Sequence, residues 1–241
     1  MSSTDPILRI TSSTTIHAPL DKVWTALTDT TTWMRWNRFV PDVTIREQPT
    51  TPTSDSTHDS ANTNANTTSS ILQKGTRLTF HVNMHPAASP SAPESLAKVD
   101  NHVGLVVSEC VPPYAVGSSP EIGGGGENGE GDSTDPADSA TPTQAPPATR
   151  KATITWANDT AFQGRVMATL HSAERVHELI EREVPDPEHG GTRTVTEVTN
   201  WEVQSGYLAY VVKWMFEGRL EENFGVWVDD LRGFVEGEMI Q

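Results

Sequence analysis

The sequence is poor in cysteine and in positive charge. Cys110 is the only cysteine among 241 residues, which excludes an intramolecular disulfide framework and a cysteine-based zinc site. Lys and Arg total 17 against 32 Asp and Glu, so the formal net charge is −15. Because such a surface repels phosphate backbones and anionic headgroups, we expect no nucleic-acid partner.

Long apolar runs are also missing. No stretch approaches the roughly 18 apolar residues of a membrane span, so we expect no transmembrane segment. Residues 1–6 have neither the apolar core of a signal peptide nor the Arg-rich character of a transit peptide. Together with the single cysteine, these features predict a cytoplasmic protein in a reducing compartment.

Three segments of biased composition interrupt the chain. Residues at about 49–70 are rich in Thr, Ser and Asn, those at 86–93 in Pro, Ala and Ser, and those at 117–149 contain four consecutive glycines. Such segments cannot bury enough apolar surface to offset the entropy of ordering them. We therefore predict one domain over 1–241 with disordered insertions in three surface loops.

The remaining sequence has the periodicity of strands. Apolar and polar residues alternate in several short runs, and one run is continuously apolar. Predicted strands cover 7–16, 77–84, 103–111, 152–156, 165–170, 175–183 and 192–203, about seven in all.

Two regions have helical periodicity instead. After Pro19, apolar residues recur at steps of three and four up to Leu27, which predicts a short helix, and a tryptophan-rich turn follows at 33–36. Apolar residues at 220, 224, 227, 231 and 234 predict a long C-terminal helix. The almost wholly apolar segment 207–216 precedes it, and we expect a lid or the buried start of that helix.

These motifs, in this order, resemble the START-like (SRPBCC) superfamily. The stretches 16–29 and 33–40, which include Ala18-Pro19, Val23-Trp24 and Trp36-Asn37, look like its opening. Later stretches are similar too: Lys74–Leu78, Glu109–Pro113, Ile154–Trp156, Gly190–Thr192 and Glu202–Gly206. The resemblance implies an α+β helix-grip fold, with a curved antiparallel sheet of about seven strands, two short helices and a long C-terminal helix around a ligand cavity.

The same resemblance implies a small hydrophobic or aromatic ligand. The protein would act as a polyketide-cyclase- or dehydratase-like tailoring protein, or as a non-catalytic carrier of a lipid, quinone or metabolite. A chaperone-binding regulator that uses the outer sheet face is a third hypothesis. Polar side chains facing the cavity favour the enzyme, and a wholly apolar wall favours the carrier. The sequence leaves the oligomeric state open.

Three side chains are candidates for catalysis. His171 or His81 could act as a general base if it faces inward, since imidazole exchanges protons near neutral pH. Glu202 matches a glutamate of the family segment before the helix, and a carboxylate facing an apolar cavity suits proton transfer. Each could also be an ordinary surface or core group. No histidine pair has helical ligand spacing, so we predict no metal and no cofactor.

Aromatic side chains provide a second set of candidates. Rings with an occasional N–H or O–H group suit flat, partly polar ligands. Each could instead belong to the core, but several should reach the cavity. The predicted ligand-binding residues are Trp36, Asn37, Phe80, Met84, Trp156, Trp201, Tyr207, Tyr210, Trp214 and Phe224.

Overall fold

The computed structural model describes residues 6–49, 69–86, 99–116 and 149–237. The predicted insertions at about 49–70, 86–93 and 117–149 fall almost entirely outside these ranges. The single domain over 1–241 and its disordered loops therefore stay predictions.

The described strands form one antiparallel sheet of seven strands in the order β1-β7-β6-β5-β4-β3-β2. Sequential strands β2 to β7 pair with their chain neighbours, and β1 closes onto β7. Their bounds are β1 Leu8–Ile16, β2 Asp42–Glu47, β3 Arg77–Val82, β4 Asn101–Ala115, β5 Arg150–Asn158, β6 Ser172–Pro185 and β7 Thr192–Ser205.

Four helices and one 3₁₀ turn accompany the sheet. The helices are α1 Leu20–Thr28, α2 Thr160–Gln163, α3 Arg165–Leu170 and α4 Tyr207–Glu236, and the 3₁₀ turn is Thr30–Arg35. Pro19 is the N-cap residue of α1, where its missing N–H costs no helical hydrogen bond. The helix-grip α+β architecture expected from the sequence is confirmed.

Two strand predictions need correction. Residues 165–170 form helix α3 rather than a strand, because short apolar runs fit either period and Gly164, with φ of 79°, turns the chain into a new helical turn. Strand β2 was missed, although Val43 and Ile45 alternate there with polar residues. The predicted number of seven strands is right, but one predicted strand is a helix and one observed strand, β2, was not predicted.

The long helix α4 packs across the sheet and closes the core. The Ser12 hydroxyl on β1 donates to the Phe224 carbonyl at 3.0 Å. Arg38, after the 3₁₀ turn, forms a buried ion pair with Asp230 at 2.7 Å. Among the residues that the structure describes, no helix has both the length and the apolar composition needed to cross a bilayer.

Segment 207–216 was expected to be a lid or the buried start of the long helix, and the first turns of α4 contradict the buried start. Tyr207 is 79% exposed and Trp214 is 85% exposed. Only one face of these turns meets the rest of the protein, through Ala209 and the partly buried Val212. The remaining apolar side chains therefore face solvent.

Candidate functional site

A cavity of about 620 Å³ lies between the sheet and α4. Strand alternation explains much of its wall: Phe80 on β3 and Trp156 on β5 point to the face that α4 covers. Leu220 on α4 contributes from the opposite side. Further apolar wall residues are Val82, Val103, Leu105, Val212 and Phe216.

One part of this apolar wall carries a continuous polar chain. Asn158 Nδ2 donates to His171 Nδ1 at 3.3 Å, and His171 Nε2 donates to Gln204 Oε1 at 3.1 Å. Gln204 Nε2 then donates to Glu202 Oε1 at 2.6 Å. All four side chains line the cavity. An amide nitrogen can only donate and an amide oxygen can only accept, so these contacts fit the His171 tautomer that carries its proton on Nε2.

Arg175 ends the polar chain with a positive charge. Its guanidinium contacts Glu202 Oε2 at 2.9 Å from Nε and at 2.7 Å from Nη2. The guanidinium also lies 4.2 Å from the ring centroid of Phe224 and 5.6 Å from that of Phe39. Stacking on two rings holds the guanidinium and its N–H donors in one orientation. Arg175 and Glu202 therefore present a rigid, mutually neutralised ion pair to the cavity.

The short helix α2 forms part of the cavity mouth, because Phe162 both lines the cavity and is 46% exposed. The buried Asp159 caps α2 by accepting from the Ala161 N–H at 3.0 Å. Burial opposes ionisation of Asp159, but hydrogen bonds from Arg46 and Arg77 outweigh it and lower the pKa of the carboxyl. The beginning of α2 is thus held to β2 and β3 through charge.

A buried histidine lies beside the cavity. The His177 ring is packed between Trp156 and Trp227, with centroid distances of 4.3 and 4.4 Å. Neither ring nitrogen has a hydrogen-bond partner within the described part of the chain. Burial, with a smaller contribution from the charge of Arg175, holds the pKa of His177 well below its ordinary value of 6.5.

The structure brings five of the predicted site residues into the cavity wall. Two of them, His171 and Glu202, belong to the same polar chain, joined through Gln204. The other three are apolar or weakly polar wall residues: Phe80, Met84 and Trp156.

His81 does not belong to that wall. It alternates with Phe80 on β3, so its ring lies on the other side of the strand, where it contacts the Thr44 hydroxyl at 2.7 Å and the ring of His102. Within the described residues, no group of three or more His, Cys, Asp or Glu side chains is arranged to hold a metal ion.

The other predicted ligand-binding residues also lie outside the wall, for three different reasons. Trp36, Asn37 and Phe224 are fully buried in the core. Trp201 lies between the inward-facing Asn200 and Glu202 and so occupies the outer face of β7. Tyr207, Tyr210 and Trp214 face solvent.

Sequence reasoning missed three of the five members of the polar chain: Asn158, Arg175 and Gln204. The strand period contained the signal for all three. Arg175 has the same phase as the buried His177 and Leu179 on β6, and Gln204 has the same phase as Glu202 on β7. Asn158, the last residue of β5, has the same phase as the inward-facing Ile154 and Trp156.

The seven-stranded sheet, the long α4 and the cavity between them define a helix-grip protein. Residues 8–92 match the family described as polyketide cyclase / dehydrase and lipid transport. The chain is also 34% identical over 229 residues, 95% of this chain and 87% of the relative, to the oxopyrrolidines biosynthesis cluster protein O of Penicillium oxalicum (strain 114-2 / CGMCC 5302). The chain belongs to the START-like (SRPBCC) superfamily and shares a family with that fungal protein.

Solved structures with a similar outline are more distant. The hypothetical protein jhp0584 of Helicobacter pylori matches with 11% identity and a TM-score of 0.48, over 95% of this chain and 88% of that chain. The Zhui aromatase/cyclase of Streptomyces sp. R1128 matches with 12% identity and a TM-score of 0.36, over 97% and 96%. Similarities of this size carry no information about substrate.

Proposed function

We propose that this chain binds a small hydrophobic molecule with several carbonyl groups and promotes its ring closure or loss of water, as a polyketide-cyclase-like tailoring protein. The observation that carries the proposal is the polar chain from Asn158 to Arg175 on one wall of an otherwise apolar cavity.

The apolar wall supports the binding half of the proposal. Phe80, Trp156 and Leu220 offer ring faces and a branched side chain to a flat ligand. The volume of about 620 Å³ falls within the range of about 300–1,000 Å³ of small-molecule sites. Exclusion of water from such a wall holds the ligand in a folded conformer.

The polar chain supports the chemical half. The Glu202 carboxylate takes a proton from a carbon between two carbonyl groups, and the electron pair moves to a carbonyl oxygen as an enolate. The enolate carbon forms a bond to a second carbonyl carbon of the same ligand, whose oxygen becomes an alkoxide. Protonated Glu202 returns the proton to that alkoxide. Ring closure is an isomerisation, so no oxidant or co-reactant is needed. For loss of water, Glu202 takes a second proton from the carbon next to the new hydroxyl-bearing carbon, the C–O bond breaks as the carbon–carbon double bond forms, and Glu202 gives its proton to the departing hydroxide.

Arg175 and His171 have supporting roles in this scheme. Once Glu202 has taken the proton it no longer neutralises Arg175, so the guanidinium can donate to the enolate oxygen and place a positive charge where negative charge develops. The Nε2 proton of His171 holds Gln204 Oε1, so that the Gln204 amide stays oriented toward Glu202. In the proposed step, Glu202 and Arg175 are the catalytic residues, and His171 and Gln204 position them.

The fungal relative adds support of a different kind. It is named as a protein of an oxopyrrolidines biosynthesis cluster. An oxopyrrolidine is a ring that carries a carbonyl group, so a carbonyl-bearing biosynthetic intermediate is consistent with the ligand class proposed for this chain.

A carrier is the second candidate function. The apolar part of the wall favours it, because a lipid or quinone could be held there without any proton transfer. In a carrier, the Arg175–Glu202 pair would only orient a polar end of the ligand.

Exchange of Glu202 for Gln separates the two functions. The probe is the N-acetylcysteamine thioester of a linear trioxo acid, incubated with purified protein and analysed by mass spectrometry for ring closure and loss of one water. For an enzyme, we expect E202Q to lower the conversion rate about 100-fold or more, while quenching of tryptophan fluorescence shows affinity within about threefold of the wild type.

Glu174→Gln is the matched control. Glu174 lies on the same strand as Arg175 but is exposed, so the exchange removes an equal charge without touching the cavity. Equal conversion by wild type and E202Q would exclude Glu202 as the base. Binding without conversion by both would overturn the cyclase and favour the carrier. Native mass spectrometry of protein re-isolated from cell extract then identifies the class of the bound molecule.

A further inference from the structure

The outer face of the first turns of α4 carries an apolar stripe that no described residue covers. Its members recur at i, i+3, i+4, i+7 and i+8, as on one side of a helix. They include the most exposed tryptophan of the described chain, Trp214 at 85%. The stripe consists of Tyr207, Tyr210, Val211, Trp214 and Met215, and Phe216 borders it.

Helices α2 and α3 carry further exposed apolar side chains beside the cavity, since Gln163 and His171, on either side of α3, both line it. Val166 is 71% exposed and Met167 is 46% exposed. The end of α3 adjoins the start of α4, since a Cβ atom on Gly206 would lie 2.4 Å from the Leu170 carbonyl oxygen. We call the α4 stripe, Phe216, and Phe162, Val166 and Met167 together the mouth patch.

The mouth patch is continuous with the cavity. Phe162 on α2 and Phe216 on α4 are each partly exposed and each line the cavity. Two separate elements therefore present apolar side chains to solvent around one opening. Isolated exposed apolar residues are ordinary on a protein surface, but a contiguous patch beside a cavity marks an interaction site.

The residue types match those of a helix that lies in a lipid interface. Tyr and Trp place an apolar ring below a polar group at the headgroup level, and Met and Val reach into the acyl region. Lys213 is the only charged residue between Tyr207 and Phe216, and its ammonium lies near Glu217 and the Ile7 carbonyl. On the α2 and α3 side the exposed Arg165 adds one positive charge. The patch is thus mainly apolar and carries few charges.

The net charge of the whole protein distinguishes between three possible partners of the mouth patch: a second copy of the chain, an anionic membrane and a neutral phospholipid surface. Two copies with a net charge of −15 each repel one another, and an anionic membrane is repelled in the same way. A second copy on the patch would also cover both cavity mouths. A neutral phospholipid surface has neither disadvantage.

We infer that the mouth patch docks onto zwitterionic phospholipid surfaces, so that a hydrophobic ligand passes between the lipid phase and the cavity without crossing water. The docking itself follows from the patch and the charge. Only the passage of a ligand rests on the proposed function of the cavity.

Vesicles of phosphatidylcholine test this inference directly. We expect the wild type to co-float with vesicles at millimolar lipid, and the double variant Tyr210→Ser/Trp214→Ser to require on the order of tenfold more lipid. Both side chains are more than half exposed, so the folded protein should tolerate the exchange. The matched control is Met34→Ser/Tyr114→Ser, which removes two exposed apolar side chains far from the mouth in sequence.

Tryptophan fluorescence gives an independent readout. Of the seven tryptophans, Trp33, Trp36, Trp156 and Trp227 are at most 1% exposed. Trp24 and Trp201 are partly buried and lie outside the mouth patch, so quenching by brominated phosphatidylcholine should come mainly from Trp214. The Trp214→Phe variant should keep vesicle binding and lose most of the quenching.

Three outcomes would overturn the inference: no co-flotation of the wild type, co-flotation of the double variant equal to that of the wild type, or a dimer in light scattering that the double variant loses. The last outcome would identify a second copy as the occupant. Ring closure of the thioester probe is measured without vesicles, so a failure of lipid docking and a failure of the cyclase are separately visible.

Discussion

At the residue scale, the burial of His177 connects the stability of the protein to pH. In the folded state its imidazole lies between two tryptophan rings and its pKa is well below 6.5, whereas in the unfolded chain it titrates near 6.5. Below pH 6.5 the unfolded state therefore binds a proton that the folded state does not. The stabilising effect of the neutral imidazole is complete above pH 6.5 and is lost as the pH falls.

Urea unfolding at pH 7.5 and pH 5.5 measures this effect. Through His177 alone, the free energy of unfolding should fall by up to about 1.4 kcal/mol for each pH unit below the pKa of the unfolded histidine. The His177→Phe variant, which keeps an aromatic ring between the two tryptophans, should lose this part of the slope.

His17→Gln is the control for that comparison. His17 is exposed, so its exchange should leave the slope of the wild type unchanged. A slope in His177→Phe equal to that of the wild type would mean that His177 takes up protons equally in both states.

At the element scale, helix α2 depends on a glycine of the neighbouring strand. A Cβ atom on Gly104 of β4 would lie 2.2 Å from the Phe162 ring and 2.7 Å from the Phe162 Cβ. Because the clash reaches the Phe162 Cβ, rotation of the ring alone cannot relieve it, and α2 itself must move. The absence of a side chain at position 104 thus lets Phe162 form one edge of the cavity mouth.

We expect Gly104→Ala to destabilise the protein by about 1–3 kcal/mol, the usual cost of overpacking, and to speed hydrogen exchange over residues 159–170. The double variant Gly104→Ala/Phe162→Gly removes both the ring and its Cβ, so relative to Phe162→Gly alone it should show little of the loss caused by Gly104→Ala. Denaturant unfolding and exchange mass spectrometry check both effects.

The Gly218→Ala variant is the control. Gly218 is an exposed position of α4 with nothing within 4 Å of its Cβ direction, so alanine there should stabilise by about 0.5–1 kcal/mol. If Gly104→Ala unfolded like the wild type and left exchange over 159–170 unchanged, the close packing of α2 on β4 would be excluded.

Local sequence patterns predicted some helices and strands correctly and failed for others. Residues 192–203 are rich in Thr and Val and follow the turn residues Gly190 and Gly191, a pattern that favours a strand, and β7 occupies that region. The run 165–170 is six residues long and fits the period of a strand or of a helix. Its contacts with other segments therefore decide its structure, and one such contact is that between the end of α3 and Gly206. Local sequence does not specify a segment of this length.

At the scale of the whole molecule, the excess of negative charge should select among lipid surfaces. Replacing part of the phosphatidylcholine by phosphatidylserine should weaken vesicle binding at low ionic strength, because a chain with a net charge of −15 is repelled. The difference should shrink as salt is raised, since the Debye length falls from about 30 Å at 0.01 M to about 10 Å at 0.1 M.

Co-flotation with both vesicle types at two salt concentrations is the measurement. Tighter binding to the phosphatidylserine vesicles at low salt would contradict the prediction and would point to a basic headgroup site instead.

The sequence by itself determined the sheet, the long terminal helix and part of the site. Phe80, Trp156 and Glu202 lie on strands, where alternation places each side chain on one of the two faces of the sheet. The order of elements in a helix-grip fold then indicates which face lines the cavity. Their placement needed only local pattern and resemblance.

Only the tertiary structure decided the rest, because it depends on which surfaces meet. Tyr210 and Trp214 are apolar enough for a core, but α4 turns Ala209 and Leu220 inward and leaves both rings in solvent. Arg175 and Glu202 are 27 residues apart in the chain and become one charge pair through the pairing of β6 with β7. Packing between distant segments sets such contacts, and no local period contains them.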